Sequence, residues 1–255
     1  DDGPCFVMKS DKKCPFLNEH GLCHLICESG DELLCEICRE HPRYYSFFSD
    51  RILAGLGLSC EEAARIILSQ KEKTHLIIID NDDEESFELS EPEAYVLEKQ
   101  EGLFILLQDR SISLRDRIDA LQKACNVRFP FHPVSYYASI LKSLEHLEDD
   151  WSDILENLAL YGSYEISPEL EIPYEKLILY FIYRHTSSAL DPQDFNARVQ
   201  FSILSLYTVI ALYNAYTNKH MDKKGLDTLC DLARRYSSEI EYSEENTQYL
   251  IDMFL

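Results

Sequence analysis

From residue 59 to the end of the chain, apolar residues recur at helical spacing with short polar breaks between the runs. Ser59 precedes Cys60-Glu61-Glu62-Ala63-Ala64-Arg65-Ile66-Ile67-Leu68, and the Ser-x-x-Glu pattern predicts a capping box opening a helix that ends near Gln70. His75 to Ile79 is a β-branched run, Asp80 to Glu85 an acidic turn and Ser86 to Leu89 a return strand, which together predict a small hairpin. Ser90-Glu91-Pro92-Glu93 is a second capping box with proline early in the first turn, and its helix continues through Tyr95 to Gln108 despite Gly102. Leu114, Ile118, Leu121 and Cys125 then share one helical face, Val134, Tyr137, Ile140, Leu141 and Leu144 a second, and Trp151, Ile154, Leu155 and Leu158 a third that Gly162 stops. Further helices are predicted over Tyr174–Thr186, Pro192–Tyr216, Asp222–Tyr236 and Glu244–Phe254, the third of these being read as long and apolar enough to sit centrally in a bundle. Cys125 and Cys230, on apolar faces beside Leu121 and Leu229, read as core fillers.

The first 60 residues follow neither period. They hold seven of the nine cysteines (Cys5, Cys14, Cys23, Cys27, Cys35, Cys38 and Cys60), and residues 1–59 hold five of the eight glycines. Loops and short turns are expected there, with too few apolar residues to hold them by burial alone, so a bound metal or cluster would supply folding free energy. The expected fold is mainly α: an irregular cysteine-rich, metal- or cluster-binding head over residues 1–60, then a helical bundle over 61–255, with one small β-hairpin.

Charge narrows the function classes. With 24 basic and 46 acidic side chains the formal net charge is -22, which excludes a general nucleic-acid binder. No run approaches the roughly 18 uninterrupted apolar residues of a membrane span. The opening DDGPCFVMKSDKKC also lacks the basic start and apolar stretch of a signal peptide, so a cytoplasmic location is expected. The chain opens on Asp1 rather than Met, so an upstream segment is expected. Thiols packed into one end of such a chain point to metal rather than to disulfides. The eight acidic residues from Asp80 to Glu93, with no basic one, read as a solvated loop rather than a docking site for a basic partner. The overall field still draws in a cationic substrate.

The head spaces its cysteines as C-x8-C-x8-C-x3-C-x7-C-x2-C-x21-C. Cys35-Glu36-Ile37-Cys38 is its only C-x-x-C, a pair able to give two thiolates to one metal with backbone amides turned toward the sulfurs. The C-x3-C-x2-C pattern of radical enzymes is absent. Cys60, in the first turn of a capped helix, has its thiolate favoured by free N–H groups, the alternative being a small apolar residue packing on Leu56 and Leu58. Arg39, His41 and Arg43 follow directly on Cys38, where cations would offset thiolate charge, the alternative being an ordinary exposed loop. Arg184 and His185 close the aromatic stretch Tyr180 to Tyr183, where anchoring of a ligand and pairing with the helix dipole are equally open. Gly55-x-Gly57 lacks the strand–turn–helix setting of a nucleotide site and reads as a tight turn.

Cys14-Pro15-Phe16-Leu17, Gly21-Leu22-Cys23, Cys38-Arg39 with Pro42-Arg43, and Leu58-Ser59-Cys60-Glu61-Glu62-Ala63-Ala64-Arg65 together resemble, in order and spacing, the flagellin lysine-N-methylase family. Ser113-Leu114-Arg115-Asp116-Arg117 and Tyr183-Arg184-His185 followed by Asp191 are also similar to it, so the resemblance covers most of the chain. More loosely, the head resembles a wider class of cysteine-rich zinc- or iron-chelating domains. The family resemblance implies a bacterial protein-lysine methyltransferase using S-adenosylmethionine, with an iron–sulfur cluster of the [4Fe–4S] type and zinc as the alternative metal. Its ligands would be drawn from Cys14, Cys23, Cys38 and Cys60, with Cys35 of the C-x-x-C a further candidate, while Arg39, Arg43 and Arg184 are the candidate cofactor-binding residues. The chain departs from the family in lacking a further upstream cysteine motif, in its additional Cys5, Cys27 and Cys35, and in Glu61 where proline commonly follows the cysteine. The implied partner is a basic or lysine-bearing protein, flagellin being the namesake, with neither nucleic acid nor membrane.

Methyl transfer to lysine needs a neutral amine in line with the sulfonium methyl, which suits an acidic exterior around a drier, aromatic pocket. Sixteen tyrosines are available to build one, and their hydroxyls accept from an amine. No catalytic base is assigned. The alternative from another class is a non-enzymatic zinc- or iron-binding module that docks a basic partner.

Overall fold

A computed structural model describes residues 14–80 and 87–255; Cys5, most of the expected acidic turn and the first residue of the expected return strand lie outside the described residues. The chain divides between Tyr44 and Tyr45 into two compact units. That division precedes the expected one at residue 60, because residues 45–60 are tied to the helical unit. Tyr183 donates from its hydroxyl to the Ala54 carbonyl at 3.1 Å, the Leu58 N–H donates to the Tyr180 hydroxyl at 3.2 Å, and the Leu58 side chain is fully buried.

In the first unit, an antiparallel bridge joins Leu17 and Cys23 around a turn organised by Asn18. Its side-chain oxygen accepts from the N–H groups of His20 and Leu22 at 2.9 and 3.0 Å, while Gly21 adopts φ +76°. Two short helices follow, α1 (His24–Ser29) and α2 (Glu36–Glu40), and neither buries a residue. Little apolar burial holds the described residues of this unit together.

Strands β1 (Arg43–Phe47) and β2 (Ile52–Leu56) form the one hairpin among the described residues, closed by mutual hydrogen bonds between Phe48 and Arg51. The predicted hairpin over 75–89 is therefore misplaced. Among the described residues of that stretch no strand forms, and Leu76, Ile77, Ile78 and Ile79 are 58–84% exposed. β-Branched residues favour a strand only where a pleated partner receives them. Here the chain just before them is instead pinned by side chains: Gln108 exchanges two hydrogen bonds with the Thr74 backbone, and Lys176 donates to the Glu72 carbonyl.

Helix α3 (Glu61–Ser69) begins one residue later than the Ser59 capping box predicts. Cys60 is the N-cap, in extended backbone, and the buried Ser59 hydroxyl has no hydrogen-bond partner. Helix α4 (Glu91–Leu107) does carry its predicted box: the Ser90 hydroxyl accepts from the Glu93 N–H, and the Glu93 carboxylate accepts from the Ser90 N–H at 2.8 Å. Gly102 faces open space, so the helix loses only about 1 kcal/mol relative to alanine there.

Helices α5 (Leu114–Ala124), α6 (Val134–Ser143), α7 (Trp151–Tyr161), α8 (Glu171–Thr186), α9 (Pro192–Lys219), α10 (Leu226–Tyr236) and α11 (Glu244–Asp252) complete the bundle. At Gly162, the C-cap of α7, no larger side chain fits, since a Cβ there would lie 2.6 Å from the Leu158 oxygen and 2.7 Å from Val134 Cγ1. The central helix is α9, not the segment Asp222–Tyr236. Eighteen of its 28 residues are buried, and it packs on α7, α8, α10 and α11. By contrast α10 starts only at Leu226 and buries one face, Leu229, Cys230, Leu232, Ala233 and Tyr236. By length and composition α9 could cross a membrane, but 83% of its apolar window is enclosed by the other helices.

Candidate metal centre

Local structure places each described cysteine of the first unit at a defined point. Cys14 opens the turn into Leu17, its carbonyl accepting from the Leu17 N–H at 3.2 Å. Cys23, across the bridge from Leu17, is the N-cap of α1; Cys35 is the N-cap of α2, and Cys38 is the third residue of that helix. Both cap cysteines have extended backbones, which aim the Cβ toward the free N–H groups of the helix that follows. Cys14 and Cys23 are half-buried, Cys27, Cys35 and Cys38 are exposed, and every described cysteine is a free thiol.

The electrostatics couple four of these sulfurs. The backbone N–H of Cys38, and after it the Cys38 thiol, favour the Cys35 thiolate and lower its pKa, an interaction that falls short of capping hydrogen-bond geometry. Cys38 moves the other way. The Cys35 sulfur beside it raises its pKa first, followed by burial and by the negative charge of Cys35, Cys14 and Cys23. Cys14, Cys23 and Cys35 thus all lie within electrostatic reach of Cys38, where a bound cation would offset their negative charge. Among the described residues no three His, Cys, Asp or Glu side chains stand as a group that could hold a metal ion, so these sulfurs are neighbours without closing into a coordination shell.

Cys60 caps α3 in the second unit, half-buried and without a cap hydrogen bond from its side chain. Cys125 and Cys230 lie in the helical core at 7% and 6% exposure, where burial pushes both thiols up to about 11, as core fillers should be.

The three candidate arginines are all engaged within the protein. Arg39 donates to the Leu34 carbonyl at 3.1 Å, and Arg43 donates to the Arg39 carbonyl at 3.0 Å. Arg184 turns onto a carboxylate that the pattern of the sequence does not mark, Glu241, which is fully buried just after α10 in a turn of wide, π-type hydrogen bonding, Ser237–Glu241. Arg184 Nε lies 3.3 Å from Glu241 Oε1 and its Nη1 donates to the Tyr180 hydroxyl at 2.8 Å; that hydroxyl donates to Glu241 Oε2 at 3.1 Å, and His185 Nε2 stands 2.7 Å from Oε1. Burial would raise Glu241, but Arg184 first and His185 after it hold its carboxyl below the ordinary value. Burial depresses the His185 pKa, and the Glu241 carboxylate opposes that shift.

A second buried network is equally absent from the sequence pattern. Glu175, fully buried on α8, accepts from Arg110 at 2.8 and 3.0 Å and from Arg117 at 2.6 Å, while Arg117 also reaches Glu171 at 2.6 Å. Arg117 belongs to the Ser113–Arg117 motif and is 2% exposed, so that motif helps clamp α5 to α8. A groove of about 280 Å³ is lined by Tyr161, Ser163, Glu165, Asn214, Met221 and Lys224, and none of the candidate residues borders it.

The chain matches no known protein family, no curated protein and no solved structure.

Proposed function

We propose that the chain is a protein-lysine N-methyltransferase, similar to the flagellin lysine-N-methylases, whose cysteine-rich unit carries a thiolate-bound inorganic centre. The observation that carries the metal half of this reading is that Cys14, Cys23 and Cys35 all lie within electrostatic reach of Cys38. Soft sulfur donors suit iron–sulfur clusters and zinc and disfavour magnesium or calcium, so the donor chemistry fits an iron–sulfur cluster, with zinc as the alternative. Cys14, Cys23, Cys35 and Cys38, all in the first unit, would hold it. In so exposed and sparsely packed a unit the centre would supply folding free energy.

The methylase half rests on the ordered motifs. S-adenosylmethionine supplies the methyl group when bound, and the acidic chain draws a lysine-bearing protein toward it. One observation favours the second reading, a metal-binding module that docks a basic partner without chemistry: of the candidate arginines, Arg184 is already paired with the buried Glu241.

Anaerobic purification tests the metal reading by colour and by iron, sulfide and zinc content. A coloured, iron- and sulfide-containing protein is expected, a colourless zinc protein selects the alternative metal, and a preparation free of both sinks the reading. Calorimetric titration with S-adenosylmethionine and methyl transfer to a lysine-rich protein then separate the readings. Metal without donor binding or transfer selects the docking module.

A further inference from the structure

Among the cysteines of the first unit, two stand apart. Cys35 and Cys38 occupy the N-cap and third positions of α2, the register in which a capping side chain reaches the third residue of a helix. Each sulfur is the other's principal side-chain neighbour, and both residues are exposed. Cys27, exposed on α1, shares neither this register nor this neighbour. Cys35 is additional to the motif cysteines, whereas Cys38 opens the Cys-Arg motif. Two accessible free thiols on one helical turn, both of them proposed ligands, can join to each other or bind metal, but not both.

We propose that Cys35 and Cys38 form a reversible dithiol–disulfide couple, which a low-molecular-weight disulfide oxidises when no metal is bound, withdrawing both sulfurs from the ligand set. The consequence for the ligand set rests on the metal reading above; the couple itself does not. In the first step the Cys35 sulfur attacks one sulfur of the small disulfide, forming a mixed disulfide as the small S–S bond breaks and one small thiol leaves with a proton. In the second, the Cys38 sulfur attacks the Cys35 sulfur of that mixed disulfide, forming the Cys35–Cys38 bond and releasing the second small thiol. The protein dithiol loses two electrons and two protons, and the small disulfide gains both. A thiol reductant reverses the exchange. Bound metal blocks it, because thiolates held by a metal are withheld from attack.

Glutathione disulfide and the zinc ion are the probes, applied to the full chain. In reduced, metal-free protein the oxidant is expected to abolish alkylation of Cys35 and Cys38 together, with mass mapping finding them linked to each other. Zinc uptake is then lost and returns with dithiothreitol, and zinc added first prevents the loss. In Cys38→Ser, glutathione is trapped on Cys35, because the resolving sulfur is gone. Cysteines 35 and 38 that stay alkylatable, or that link instead to Cys14, Cys23 or Cys27, overturn the couple. If reduced protein takes up neither zinc nor iron, the metal reading and the consequence for the ligand set fall, and the mass map alone decides the couple.

Discussion

Glu175 shows how much a single side chain can settle. Fully buried, it would ordinarily favour the neutral acid, but hydrogen bonds from Arg110 and Arg117 overcome the burial and hold its carboxyl below the ordinary range. Removing one member of a buried pair leaves the other charge without compensation, so Glu175→Ala should destabilise the protein by about 3–5 kcal/mol in urea unfolding. Arg110→Ala should destabilise it less, since Arg110 is partly exposed and Glu175 keeps Arg117. His185 gives a pH signature. Its folded pKa is depressed by burial, so the unfolded chain binds a proton that the folded one refuses, and stability contributed by His185 is full above its ordinary value of about 6.5 and falls as the pH drops below it. The urea midpoint should decline on acidification from pH 7 to 5, and His185→Gln should flatten that decline. An unchanged slope in the variant would assign the pH dependence elsewhere.

Helix ends decide how far local sequence can be trusted at the scale of elements. Ser90 and Glu93 satisfy each other reciprocally, and Glu93 also accepts from the N–H and hydroxyl of Ser49 in the hairpin turn, at 2.8 and 2.7 Å. The Ser90 hydroxyl and N–H, with Ser49, lower its carboxyl to about 2. A depressed acid stabilises the fold above its ordinary value of about 4.5, and that contribution is lost as the pH falls from there toward about 2. Ser90→Ala should cost about 1 kcal/mol at neutral pH and remove part of the acid sensitivity, both measurable by urea titration at several pH values. The same Ser-x-x-Glu spacing at Ser59 fails, because the chain there is already committed elsewhere: Leu58 bonds to Tyr180, and the extended residue that starts the helix is Cys60. A capping motif is local only where no tertiary contact competes for its backbone.

On the scale of the whole molecule, the two units owe their order to different forces. The second has a continuous apolar core around α9, whereas α1 and α2 of the first bury nothing. If the first unit holds a metal, a strong chelator should raise amide hydrogen exchange across residues 14–44 and leave α9 protected. Exchange in 14–44 that ignores the chelator would remove metal as the organising element of that unit.

The local features of this protein were legible in its sequence. Helical periodicity placed each large helix, the Ser90 box and Gly162 marked true ends, and the crowding of cysteines singled out the first unit, because these signals act between residues three or four apart. Tertiary structure alone decided which helix is central, where the hairpin forms and which sulfurs are neighbours. It also chose the partners of the buried charges: Arg117 meets Glu175 across 58 residues and His185 meets Glu241 across 56. Such pairings depend on how helices pack, and a charged residue in an amphipathic pattern looks the same whether it faces water or a counter-ion from a distant helix.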